Sequence, residues 1–179
     1  VRVTGGRQWT QREWGTDGGG ELPAGSAQER AQNLASGISR YRQYLQNQDI
    51  RKGCAYFFRR DCSGEALPGP GILQEEMNRR LWALLRSAGE PERFASAGRK
   101  LVGAGMGLTP AGDDFLCGML AALNCCESTA SLRAALAGGV NRPEILAATT
   151  AVSRQMLKAY LNGENSLLNR RLAACFLAG

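Results

Sequence analysis

Four glycines stand at positions 103, 105, 107 and 112, in a stretch, GAGMGLTPAGDD, that ends on the adjacent carboxylates Asp113 and Asp114. Glycine at this density disfavours helix and strand alike, because each one adds backbone freedom that folding must remove. The chain on either side has helical periodicity, so an irregular loop must join two helical segments there. Such a loop tolerates positive φ, allows close backbone approach and can converge successive N–H groups on an anion. Thr109-Pro110 reads as an N-cap followed by proline at the first helical position. The loop is therefore expected to feed a helix N-terminus, with its partial positive charge and open donors.

That helix is expected over about Pro110–Asn124, buried nearly all round by Phe115, Leu116, Met119, Leu120 and Leu123. Asp113 and Asp114 fall in its first turn. They either complement the helix dipole or act chemically, since buried carboxylates need partners. Two carboxylates beside an anion nest also repel the anion unless a cation such as Mg²⁺ or an arginine bridges them, or one is protonated for general acid–base work. On a helix they lie about 100° apart. Asp114 shares a face with Gly118 and Ala121, where another helix could pack closely. Asp114 is thus expected between helices and Asp113 at the ligand.

The remaining chain reads mainly as helix, α+β at most. Residues 1–25, glycine-rich with Trp9 and Trp14, form a short strand or irregular arm, the remnant of a removed region. Residues 26–179 form a helical domain carrying the loop at 103–112, with a C-terminal bundle of about five helices. Ser26 and Glu29 make a capping box for a helix to about Gln48, with Leu34, Ile38, Tyr41 and Leu45 at helical spacing. The aromatic run 54–58 is a strand or a buried helical turn. A helix over Ile72–Ser87 places Leu73, Met77, Leu81, Leu84 and Leu85 on one face. Pro91 opens a segment to about Leu101. Ser128 starts a short helix ending at Gly138-Gly139. Pro143 opens a long one to about Asn162, and a last helix runs from Ser166 to about Leu177. Within the long helix Thr149, Thr150 and Ser153 are polar oddities. Thr149 and Ser153 share a face, and their hydroxyls either bond back to carbonyls four residues earlier or meet substrate oxygens.

The chain contains no histidine. Ser-His-Asp and Cys-His catalysis, histidine-ligated metals and imidazole proton shuttling are thereby excluded within it. The net charge of +6 comes almost wholly from arginines spread along the sequence, with no basic run longer than a pair. A nucleic-acid binder gathers such charge in one run or face, so a solvated basic surface without nucleic acid is expected. Six cysteines form no C-x-x-C pair, and Cys117, Cys125 and Cys175 lie in apolar helical contexts as small hydrophobes. Free thiols and the lack of an apolar leader point to the cytoplasm, and no apolar run approaches the roughly 18 residues of a membrane span.

GAGMGLTPAGDDFLCGMLAAL resembles the signature G-x-G-x-G-L-T-P-S-G-D-D-F-L-x-G of the AllH-like family. TTAVSRQMLKAYLNGENSLLNRRL resembles that family's second block, a T-x-x-[IV]-S helix followed by an alanine- and glycine-containing stretch. The resemblance covers roughly Leu101–Leu172. Ala111 stands where serine is usual, and Met106 where proline is common. The matching positions are Gly103, Gly105, Gly107, Leu108, Thr109, Pro110, Gly112, Asp113 and Asp114, with Thr150 and Ser153 from the second block. The resemblance implies a subunit working with FdrA-like and AllG-like proteins in an oxamate carbamoyltransferase of purine and allantoin degradation. That enzyme would form oxalurate or run in reverse. The chain lacks the Ser-Thr-Arg-Thr and His-Pro-x-Gln motifs of ordinary carbamoyltransferases.

Three readings follow. In the first, the loop holds a small anionic substrate by Gly103, Gly105, Gly107, Leu108, Thr109, Gly112, Thr150 and Ser153. Asp113 or Asp114 then works as catalytic acid or base, or as a ligand for Mg²⁺, the one candidate cofactor. In the second, the chain is a non-catalytic scaffold or effector-binding subunit. In the third, suggested by a superficial echo of a G-x-G-L-G-S-S phosphate loop, it is an ATP-dependent small-molecule kinase.

Overall fold

The computed structural model describes residues 26–47, 54, 71–124 and 129–178. Among them the chain forms eight α-helices and no strand: α1 (Ala27–Gln46), α2 (Ile72–Arg86), α3 (Pro91–Arg99), α4 (Ala111–Asn124), α5 (Ala130–Val140), α6 (Pro143–Leu146), α7 (Ala151–Leu161) and α8 (Leu167–Ala178). The mainly α expectation holds. The expected N-terminal arm, most of the aromatic run 54–58 and the expected start at Ser128 lie outside the described residues.

The local signals account for most of the helix ends. At α1 the Ser26 hydroxyl accepts from the Glu29 N–H at 3.2 Å while the Glu29 carboxylate accepts from the Ser26 N–H at 2.6 Å, a complete capping box. Pro91 and Pro143 sit in the first turns of α3 and α6, where a missing N–H costs nothing. Helix α4 starts at Ala111, with the Pro110 carbonyl accepting from the Asp114 N–H at 3.2 Å. Pro110 therefore precedes the helix rather than occupying its first position.

Leu81 and Leu84 of α2, Phe94 of α3, Leu116 and Leu120 of α4, Leu136 and Val140 of α5 and Leu157 of α7 form the buried core. Of the face expected on α2, Met77, Leu81 and Leu84 are buried, whereas Leu73 at its start is exposed. Helix α3 packs against α5. The approach is close: a Cβ at Gly139 would lie 2.7 Å from the Ala95 carbonyl oxygen. Helix α1 packs on α8, where Tyr41 meets Phe176 edge-on at 5.8 Å between ring centres.

Three expectations are corrected. The long helix from Pro143 to Asn162 is broken: α6 is four residues long, and α7 begins afresh at Ala151 with Thr150 as N-cap. Hydroxyl side chains here compete with helical backbone bonding, and both threonines find partners outside the helix. Helix α4 is not buried all round either, because Asp114, Gly118 and Ala122 form an exposed stripe. Cys117 is buried as expected, but Cys175 is exposed.

Candidate functional site

The glycine loop is fastened at its feet and open at its crown. Gly103 has φ of 72°, and a Cβ there would sit 2.3 Å from the Ala148 carbonyl oxygen, so both conformation and space demand glycine. At the far foot the Gly112 N–H donates to the Ala104 carbonyl at 2.8 Å. A Cβ on Gly112 would lie 2.1 Å from the Leu101 carbonyl oxygen. Between the feet, Gly105–Leu108 is exposed, and its four N–H groups make no backbone hydrogen bond among the described residues. Met106 and Leu108 project from the crown, 80% and 66% exposed.

Asp113 closes this arrangement from below. It is completely buried. One carboxylate oxygen accepts from the Gly103 N–H at 2.8 Å, and the other accepts from the Thr149 hydroxyl. Packing of α4 against α7 brings these groups together across 36 positions of sequence. The next residue adds a second tie: the Thr150 hydroxyl donates to the Leu108 carbonyl at 2.6 Å and accepts from the Ser153 N–H at 3.1 Å. One side chain thus caps α7 and tethers the loop. The loop and the hydroxyl-bearing segment converge. Ser153 is fully buried, and its hydroxyl has no hydrogen-bond partner among the described residues.

The two acids take places opposite to those expected. Asp113 is sealed between helices, and Asp114 faces solvent beside the loop. The reason is helix phase: Asp113 lies on the side of α4 that meets α7, while Asp114 begins the open stripe. Thr149, the buried partner of Asp113, stands out in the sequence as a polar oddity but not among the eight residues expected to hold the anion. Its signal was the Thr-Thr pair, which reads as helix interior until the break is known. Partial burial raises the Asp114 carboxyl above the usual aspartate range, the charge of Asp113 raises it further, and a hydrogen bond with Thr109 acts against both. Burial, followed by the charge of Asp114, pushes the Cys54 thiol to about 11. Burial and both aspartates push Cys117 to about 12. These thiols stay protonated near neutrality and are poor nucleophiles.

The pair does not fit Mg²⁺ as expected from sequence. Asp113 is sealed from solvent with a donor on each oxygen, so only Asp114 presents an open carboxylate. Among the described residues no three Cys, Asp or Glu side chains gather as a metal-ligand group.

Residues 101–178 match the family model of the oxamate carbamoyltransferase subunit AllH. This stretch is similar to that family. The match begins at the foot of the glycine loop and takes in α4 to α8, so it includes the loop, both aspartates, Thr149, Thr150 and Ser153 but not Cys54. Comparisons with curated proteins and with solved structures returned no match. No helix among the described residues is long and apolar enough to cross a membrane.

Proposed function

We propose that this chain is the anion-holding subunit of an oxamate carbamoyltransferase-type enzyme, working beside FdrA-like and AllG-like partners. The observation that carries the reading is the double tether of the loop, Asp113 to Gly103 and Thr149, and Thr150 to Leu108. A loop fixed at its feet presents its free N–H groups without further ordering, as stabilisation of a carboxylate or phosphate requires. Asp113 is then a positioning residue, and Asp114 is the acid that meets substrate.

In the forward direction the oxamate amide nitrogen attacks the carbamoyl carbon, the carbon–oxygen bond to phosphate breaks, and the nitrogen loses a proton. Amide nitrogen is a weak nucleophile, so a base is needed. A carboxylate with a raised pKa is a stronger proton acceptor than an ordinary aspartate, which suits Asp114. The chain has no imidazole to take this role.

Turnover by the reconstituted complex tests the assignment. Asp114→Asn should lower kcat about 10²-fold or more while subunit assembly is retained. Near-wild-type turnover would remove Asp114 from the chemistry and leave a non-catalytic docking subunit. The exposed Met106 and Leu108 favour that second reading, since apolar crowns of this kind suit coverage by a partner.

A further inference from the structure

Helices α2 and α3 enclose a groove of about 700 Å³ well apart in sequence from the hydroxyl-bearing segment. Its walls carry Arg79, Arg80, Arg86, Arg93, Arg99 and Lys100 against only two carboxylates, Glu76 and Glu90. A second groove of about 630 Å³ between α3 and α5 shares Arg93 and Arg99 and adds Arg142 and Glu92. Seven cations thus line the two grooves against three carboxylates.

The carboxylates of the first groove are already committed. Glu76 accepts from Arg79 at 2.7 and 2.8 Å and from Arg80 at 2.6 Å, while Glu90 accepts from Arg93 at 3.0 Å. Arg80 also donates to the Lys100 carbonyl at 2.6 Å, so its guanidinium is held from both helices. Arg86 lies over the Trp82 ring at 4.9 Å, which leaves its N–H edges free to donate. Arg99 is half-buried, and neither it nor Lys100 forms an ion pair among the described residues. Six cations against two carboxylates leave the groove with a net positive field that draws anions. Guanidinium forks held in place are the preferred donors to phosphate.

We infer that this groove binds the linked phosphates of a small molecule, a diphosphate or triphosphate. Arg79 and Arg86 are separated by seven residues of helix, so the cations span about 10 Å along the groove. That length suits linked phosphates better than a single one. The volume also falls in the range of small-ligand clefts, about 300–1,000 Å³. Val102 lines the groove, and Gly103, the next residue, donates to Asp113. An occupant would therefore lie against the root of the glycine loop.

Calorimetric titration of the full chain with ADP, inorganic pyrophosphate and inorganic phosphate, at roughly physiological ionic strength, tests the assignment. ADP and pyrophosphate should bind and compete with each other, and single phosphate should bind at least tenfold more weakly. Arg93→Gln with Arg99→Gln should weaken ADP about tenfold or more, as expected for lost charge-assisted bonds, with the unfolding midpoint showing the fold intact. Asp114→Asn should leave ADP affinity unchanged. No binding of ADP or pyrophosphate, or binding unaffected by the double variant, overturns the inference. So does a changed ADP affinity in Asp114→Asn, a gain being expected once the repelling carboxylate is neutralised, which would place the ligand at the glycine loop. A double variant that loses only assembly with partner subunits would show a docking face for an acidic protein instead, and would equally overturn it.

Discussion

Asp113 and Asp114 are chemically identical neighbours with opposite duties, and substitution should separate them. Asp113→Asn keeps the shape and can still accept from the Gly103 N–H while its amide donates to the Thr149 hydroxyl, but two bonds to a charged carboxylate become neutral ones and the Thr149 hydrogen loses its acceptor. Exchanging charge-assisted for neutral buried bonds costs about 1–3 kcal/mol in all. Chemical denaturation should show that loss for Asp113→Asn. It should show none for Asp114→Asn, and a gain is expected at pH values above the usual aspartate range, where the carboxyl is ionised. The sign follows from the raised pKa of Asp114: the fold favours its protonated form, so ionisation as pH rises is destabilising, and asparagine cannot ionise. Equal losses in both variants would contradict the division. The glycines give a parallel contrast. Gly107 has φ of 98° with open space around it, so alanine there meets only the left-handed penalty of about 1–2 kcal/mol. Gly103→Ala adds a collision with the Ala148 carbonyl and should cost clearly more in the same measurement.

At the scale of elements, the break between α6 and α7 is what builds the site. The sequence from Pro143 to Asn162 has continuous helical character, and a single helix was the natural expectation. A continuous helix would have kept Thr149 and Thr150 in its interior, with their hydroxyls bonded back to carbonyls. Instead Thr149 supplies a donor to a buried carboxylate, and Thr150 turns extended to cap α7. Thr150→Ala should destabilise by about 1 kcal/mol, the ordinary worth of an N-cap. It should also speed amide exchange in α7, while Thr150→Ser should restore most of both. Unchanged exchange in Thr150→Ala would mean that packing, not the cap, sets the start of α7. The capping box at Ser26, the proline starts and the glycine loop were legible because each depends on neighbours within about four residues. The 149–150 break was not, because the groups that cause it are Asp113 and Leu108, far away in sequence.

Over the whole molecule, charge shows the same limit. The arginines look scattered along the sequence, yet α2 and α3 bring six basic side chains to one groove. Glu76 anchors that cluster. Hydrogen bonds from Arg79 and Arg80 hold its carboxyl down from 4.5 to about 2. The folded state therefore favours the ionised form. Its contribution is complete above pH 4.5 and is lost as pH falls toward 2. Glu76→Gln should flatten the acid limb of stability against pH in that window, measured by denaturant midpoints. Superimposable curves would show that the arginine fork contributes nothing net to folding.

The sequence alone determined that this is a mainly helical chain, where most of its helices begin, that a glycine loop precedes an acid-bearing helix, and that histidine chemistry is excluded. Those properties follow from local backbone preference, side-chain periodicity and composition. Its two AllH-like blocks were also visible as residue patterns. Only the tertiary structure decided which aspartate is buried, which threonine meets it and where the basic groove lies. Helix periodicity gives the angle between side chains on one helix, but not which neighbour each face will meet. That choice is made when α4 packs on α7 and α2 on α3, and burial then changes the chemistry of groups the sequence presents as equals.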